Sequence, residues 1–84
     1  MSAAAASQVP TLVRHLRSRS ARAQAGAAFE LAALLNSPSA QAACLAAGGA
    51  PALVQLLHSR DARVKKAASW AVGMLAHENA AGQA

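Results

Sequence analysis

An all-α architecture, a short α-solenoid of about two repeats, is expected for this chain on three grounds. The composition is rich in alanine, one passage recurs after 41 residues, and helix start and stop signals fall in the same columns of both copies. Alanine makes up roughly a third of the 84 residues. It is the best helix former because it has no side-chain entropy to lose. Ile and Tyr are absent and Phe and Trp occur once each, so large apolar volume is scarce and the helices must pack at close range. A chain of this length has room for one small domain with a modest core.

The recurrence is carried by columns that composition alone does not produce. Shifting the chain by 41 places Pro10 on Pro51, Leu12 on Leu53, Val13 on Val54, Leu16 on Leu57, Arg19 on Arg60, Arg22 on Arg63, Phe29 on Trp70 and Leu34 on Leu75. Alanine identities arise by chance in such a sequence, whereas Pro, Leu, Arg and aromatic columns carry weight. Internal repetition at this period marks a stack of helical units, each burying its faces on the next.

The elements follow in chain order. Pro10 and Pro51 suit the first position of a helix, where a missing N–H costs nothing, and are each expected to open one, ending near Arg17 and His58. Leu12, Val13 and Leu16, and their counterparts Leu53, Val54 and Leu57, fall on one helix face. Ser20 and Asp61 share a column and are strong N-cap residues, so a longer helix starts there in each copy. In the second copy that helix turns Val64, Ala67, Ala68, Ala71 and Leu75 inward and carries Arg63, Lys66, Trp70, Met74 and His77 on a separate stripe. The first copy places Ala23, Ala27, Leu31 and Leu34 inside and Arg22, Phe29, Ala33 and Asn36 on the stripe. Glu30 stands in the column of the inward Ala71, an irregularity that the sequence does not explain.

Between the copies, Ser37 can cap a third, short helix whose first residue is Pro38, and Gly48 with Gly49 supply the left-handed conformation that stops it. The unit is thus short helix, medium helix, long helix. The expected divisions are an N-terminal tail or remnant of a preceding short helix (1–8), the second and third helices of one repeat (9–36), a complete repeat (37–79), and the start of a further repeat or a tail (80–84).

Charge and inventory narrow the functional classes. The net charge of +5, with a pI near 11.3, permits attraction to nucleic acid, anionic lipid or an acidic protein surface. The lone Cys44 cannot form an internal disulfide and reads as a small buried hydrophobe suited to a reducing compartment. Glu30, Asp61 and Glu78 are the only acids. No nucleophile stands in a base-and-orienter context, there is no Gly-rich phosphate loop, and His15, His58 and His77 fall on different helices without Cys or carboxylate at ligand spacing. No catalytic, cofactor or metal site is therefore assigned.

No apolar run is long enough to span a membrane. Residues 1–29 contain four Arg and no acid, as an organellar transit peptide would. The segment from Val9 nevertheless recurs in the second copy, which makes it part of the fold, so a cytoplasmic or nuclear location is expected over organellar import.

The stretch "AAGGAPALVQLLHSRDARVKKAASWAVGMLA" resembles an armadillo repeat: a Gly-rich turn, Pro and a Leu-Val-x-Leu-Leu helix, then a long helix with Ala, Trp and Leu. HEAT repeats are the near neighbour, but the extra helix before Gly48 and Gly49 favours armadillo. The resemblance covers the chain from about Val9. It implies a right-handed superhelix and a non-catalytic scaffold that binds protein along a concave groove lined by the third helices, as an adaptor or as the substrate-recognition part of a larger protein such as a ubiquitin ligase. Peptide-binding members hold the peptide backbone with an Asn one turn after the Trp. That position is Met74 here and Ala33 in the first copy, so recognition of a basic nuclear-import signal is not expected.

The expected groove residues are Arg22, Phe29, Arg63, Lys66, Trp70, Met74 and His77, with Trp70 and Met74 as apolar anchors and the cations as electrostatic guides. The partner they suit is a protein segment with acidic and apolar residues. Helix packing is the first reading of Trp70 and direct partner contact the second. The run Arg14 to Arg22 reads as a solvated face and turn, and a basic helical module for nucleic acid or another acidic surface is the alternative function. Fewer than two and a half repeats, with no evident cap, imply neighbouring repeats of a longer array or self-association through open ends.

Overall fold

In a computed structural model the backbone is described from residue 3 to 83 and the side chains from residue 7 to 76. Five helices follow one another: α1 (Ala3–Leu16), α2 (Ala21–Leu34), α3 (Pro38–Ala46), α4 (Gly49–Leu56) and α5 (Ala62–Gln83), with no strand among the described residues. Helices α1 and α2 form the first unit and α3, α4 and α5 the second. The units stack with α2 along α5 and α1 against α3 and α4.

The expected caps hold the helix starts. Ser20 Oγ accepts from the Ala23 N–H at 3.2 Å, Ser37 Oγ from the Ala40 N–H at 3.1 Å, and Asp61 Oδ1 from the Arg63 and Val64 N–H groups at 2.9 and 3.3 Å. Each satisfies donors that a helix start leaves without an intrahelical partner. Pro38 follows Ser37 as the first residue of α3. Two glutamines tie the corners between helices: Gln24 Nε2 donates to the Ser18 carbonyl at 2.7 Å and the buried Gln41 Nε2 to the Leu35 carbonyl at 2.8 Å.

Neither proline opens its helix. Pro10 lies inside α1, which starts at Ala3, and Pro51 is the third residue of α4, whose N-cap is Gly48. The columns explain the difference. Gly48 has φ of +79°, and this left-handed residue breaks α3 from α4. The first copy has Ser7 and Gln8 in the columns of Gly48 and Gly49, so nothing turns the chain and one helix runs through the place where the second copy has two.

Gly49 is helical, and its role is packing rather than φ: a Cβ there would collide with Cys44 Sγ and come within 3.2 Å of Val13 Cγ2. The far end of α5 departs likewise. Residues 80–83 continue α5, because the second copy has no Ser-Pro pair where Ser37 and Pro38 stop α2.

The core runs between the helices as one cluster, with Val9, Leu16, Leu31, Leu35, Leu53, Val64 and Cys44 essentially inaccessible. All five residues assigned to the inner face of the long second-copy helix, Val64, Ala67, Ala68, Ala71 and Leu75, are buried. Elsewhere the inward sets differ between copies. Val13 is 1% exposed but its counterpart Val54 is 47% exposed, and Leu56 is buried where Leu57 was expected to be. Ala23, expected inside, is exposed, whereas Ala28, Ala32 and Leu35 are buried. The second unit lies on one side of the first, so each unit buries residues on the side it shares and exposes their counterparts on the other.

Glu30 is explained by the same arrangement. Its counterpart Ala71 is fully buried, while Glu30 stands on a part of α2 that no helix covers and is exposed. A carboxylate is tolerated there because water solvates it.

Candidate functional site: the cleft between α2 and α5

The third-helix stripes meet where α2 runs along α5. An open cleft of about 590 Å³ lies between them, lined by Ala25, Gly26, Phe29, Glu30, Arg63, Lys66, Ala67 and Trp70. Three of the lining residues, Ala25, Gly26 and Ala67, are small, which leaves the space between the two helices open. At one end Phe29 of α2 and Trp70 of α5, which share a column of the repeat, meet edge to face, with ring centroids 5.0 Å apart and planes at 71°. Edge-to-face rings at this separation attract, the positive edge of one lying on the negative face of the other.

Both rings also remain open to solvent, Phe29 at 60% and Trp70 at 43% exposure. Large aromatic side chains left this exposed on a short chain form a ready contact surface. The packing and contact readings of Trp70 are thus combined in one residue: its edge contact with Phe29 fixes the ring, and its remaining surface is free.

Cations border this apolar end. Arg63 and Lys66 stand one turn apart on α5 and line the cleft, both exposed. Arg63 folds back on the residue that caps its helix, with Arg63 Nη2 3.3 Å from Asp61 Oδ2. The hydrogen bond from that guanidinium holds the Asp61 carboxyl below its ordinary pKa, aided by the backbone N–H groups of Arg63 and Val64, while the carboxylate raises the pKa of Arg63. Arg63 is thereby oriented at the helix start, and the pair is exposed enough for an incoming carboxylate to compete with Asp61.

Of the seven residues expected in the groove, Phe29, Arg63, Lys66 and Trp70 are brought together in this cleft. Arg22 is exposed on the first turn of α2 and does not line it; Met74 is half-buried against the core. The side chain of His77 lies outside the described residues. Glu30, Ala25, Gly26 and Ala67 were not anticipated. The spacing of Gly26 and Glu30 with Phe29 on α2 was the available signal, but Glu30 was read from Ala71 as an inward position.

Cys44 is buried between α3 and its neighbours, and burial raises its thiol pKa. No group of three or more His, Cys, Asp or Glu stands together among the described residues, and no helix there is long and apolar enough to cross a membrane.

The Armadillo/beta-catenin-like repeat family model matches residues 36–77, half of the chain. The chain belongs to the armadillo repeat family. The matched segment is the second unit from the residue before the Ser37 cap to about two turns past Trp70, so the family's three-helix repeat coincides with α3, α4 and the first part of α5. Armadillo repeats are helical scaffolds that generally mediate protein–protein interaction and are typically non-catalytic. No curated protein and no solved structure matches the chain.

Proposed function

We propose that this armadillo chain holds a segment of a partner protein in the α2–α5 cleft, acting as a non-catalytic interaction module of adaptor type. The observation that carries the reading is the exposed Phe29–Trp70 pair at the end of a cleft bordered by Arg63 and Lys66. The rings offer apolar area at low entropy cost, and the two cations steer a segment with acidic residues beside its apolar ones. Glu30, the one acid on the cleft wall, disfavours an acidic residue at the α2 side and so sets the orientation in which the segment lies. Phe29 and Trp70 stand for the apolar anchors, and Met74 contributes through the core rather than through the cleft.

Trp70 is the only tryptophan, so its emission reports on the cleft directly. A short synthetic peptide alternating Asp or Glu with Leu or Phe is expected to shift that emission, more weakly as salt rises, whereas the same peptide with Lys in place of its acids leaves it unchanged. Calorimetric titration of Trp70→Ala should show a loss of about 2 kcal/mol of binding, the size expected for a central aromatic anchor. Arg63→Glu should slow association. The reading fails if folded Trp70→Ala and Arg63→Glu proteins bind the acidic peptide as the parent does, or if an oligonucleotide of mixed sequence shifts Trp70 where the peptide does not.

A further inference from the structure

The turns that lead into the two long helices differ in one telling column. In the second copy Asp61 Oδ1 accepts from the Arg63 and Val64 N–H groups at 2.9 and 3.3 Å, and the Arg63 guanidinium closes on the carboxylate at 3.3 and 3.4 Å. The surrounding parts recur 41 residues earlier. Arg22 stands in the column of Arg63, and Ser18 Oγ accepts from the Ser20 N–H at 3.1 Å just as Ser59 Oγ does from the Asp61 N–H. The column of Asp61, however, holds Ser20. Its Oγ accepts from the Ala23 N–H at 3.2 Å, and neither the N–H nor the guanidinium of Arg22 meets an acceptor among the described residues. The first turn carries the donors of the second without the anion that they bind there.

Ser20 is also the serine that an enzyme can reach. Its side chain is exposed, its backbone is extended at φ −85° and ψ 120°, and residues 17–20 lie outside α1 and α2. Arg14, Arg17, Arg19 and Arg22 are all exposed around it. Arg17 makes one long bond, 3.5 Å to the Gly48 carbonyl, which a carboxylate can outcompete. In the whole chain Ser20 is the only Ser or Thr with an Arg three residues before it. Ser69 has Lys66 at that place but lies within α5, whose helical backbone cannot extend into a substrate groove without unfolding, and Ser37 is buried.

We propose that Ser20 is a phosphorylation site for an arginine-directed protein kinase, and that its phosphate takes the place in the first unit that the Asp61 carboxylate holds in the second. In the transfer Ser20 Oγ forms a bond to the γ-phosphorus of ATP, the bond from that phosphorus to the β–γ bridging oxygen breaks, and ADP leaves. The hydroxyl proton passes to the catalytic aspartate of the kinase. Capping of α2 uses only a lone pair of Ser20 Oγ, so that proton is available. The product carries close to two negative charges at neutral pH and three acceptor oxygens, enough for the Arg22 N–H and guanidinium as well as the Ala23 N–H. The modification tightens the start of α2 and offsets about half of the four positive charges in residues 14–22.

The test incubates the full chain with magnesium–ATP and the catalytic subunit of an arginine-directed kinase and maps the product by mass spectrometry. One phosphate, on Ser20, is expected. Arg17→Ala should slow its incorporation about tenfold, the worth of one charge-assisted hydrogen bond, and Arg60→Ala should leave it unchanged. A chain synthesised with phosphoserine at position 20 separates the structural consequence from the choice of kinase. Its folding equilibrium constant at neutral pH should exceed that of the parent by about three- to tenfold, and Arg22→Ala should remove most of that gain. The gain should be fully present above the second phosphate pKa of about 6 and lost as pH falls below it.

The proposal is overturned if the folded chain takes no phosphate on Ser20, or takes it on Ser18 or Ser69 instead. It is equally overturned if the phosphoserine chain is no more stable than the parent, or keeps its full gain in Arg22→Ala. None of these readouts involves Phe29 or Trp70, so they stand or fall separately from peptide binding.

Discussion

Gly49, the first residue of α4, lies so close to Cys44 of α3 that a Cβ at Gly49 would occupy the space of the Cys44 sulfur and approach the Cys44 carbonyl to 3.0 Å. A backbone carbonyl cannot swing aside as a long side chain can. Gly49→Ala should therefore destabilise by about 1–3 kcal/mol through overpacking. Gly48→Ala should cost about 1 kcal/mol for a different reason, its φ of +79°. Gly26 and Gly73 lie within helices with open space at the Cβ position, so alanine there should stabilise by about 0.5–1 kcal/mol. Denaturant midpoints of the four variants check the opposite signs.

Pro10 should be a net cost to α1. It sits more than a turn inside the helix, removes one N–H from the ladder and crowds the carbonyl four residues back. Pro10→Ala should raise stability by about 1–3 kcal/mol and increase helical circular dichroism. A neutral or destabilising result would mean that α1 starts at Pro10 in solution.

The Phe29–Trp70 contact should be measurable but small. A double-mutant cycle with alanine at both positions is expected to give a coupling of about 0.5–1.5 kcal/mol. Trp70→Ala alone should cost less than Leu53→Ala, because Leu53 is fully buried and its truncation leaves a cavity worth about 2–5 kcal/mol. The cycle is read from equilibrium unfolding. A Trp70→Ala cost larger than that of Leu53→Ala would place the ring in the core instead of at its edge.

Asp61 should make stability depend on acid. Its carboxyl is held below the ordinary value of 3.8, first by the Arg63 guanidinium and then by the N–H groups it caps. A depressed folded-state pKa gives a stabilisation that is fully present above the unfolded value and lost as pH falls through the folded one. The difference in stability between the parent and Asp61→Ala should thus shrink steadily as pH drops below about 4. Thermal melts of both proteins across that range test it, and a difference that stays constant would assign the effect of Asp61 to packing.

Much of the fold could be read residue by residue. Local chemistry placed the caps at Ser20, Ser37 and Asp61 and the break at Gly48, since each depends on atoms within a few positions in the chain. The inner face of α5 was legible for a related reason. Val64, Ala67, Ala68, Ala71 and Leu75 face the helices of both units, so helical period alone gives the right set. The shared column of Phe29 and Trp70 likewise made their meeting foreseeable, because a fixed offset puts like residues on like faces.

Stacking decided the rest. Val13 and Val54 share a column, each after a leucine, and have opposite fates, buried and exposed, because a unit lies against one and not the other. The same cause turned Glu30 from an anomaly in an inward column into a solvated residue on the wall of the α2–α5 cleft. Pro10 ended inside α1 because the first copy lacks the glycines that break the second. Helical periodicity fixes which residues share a face of one helix, but burial depends on what the whole unit is packed against, and that is a property of the stack and not of any stretch within it.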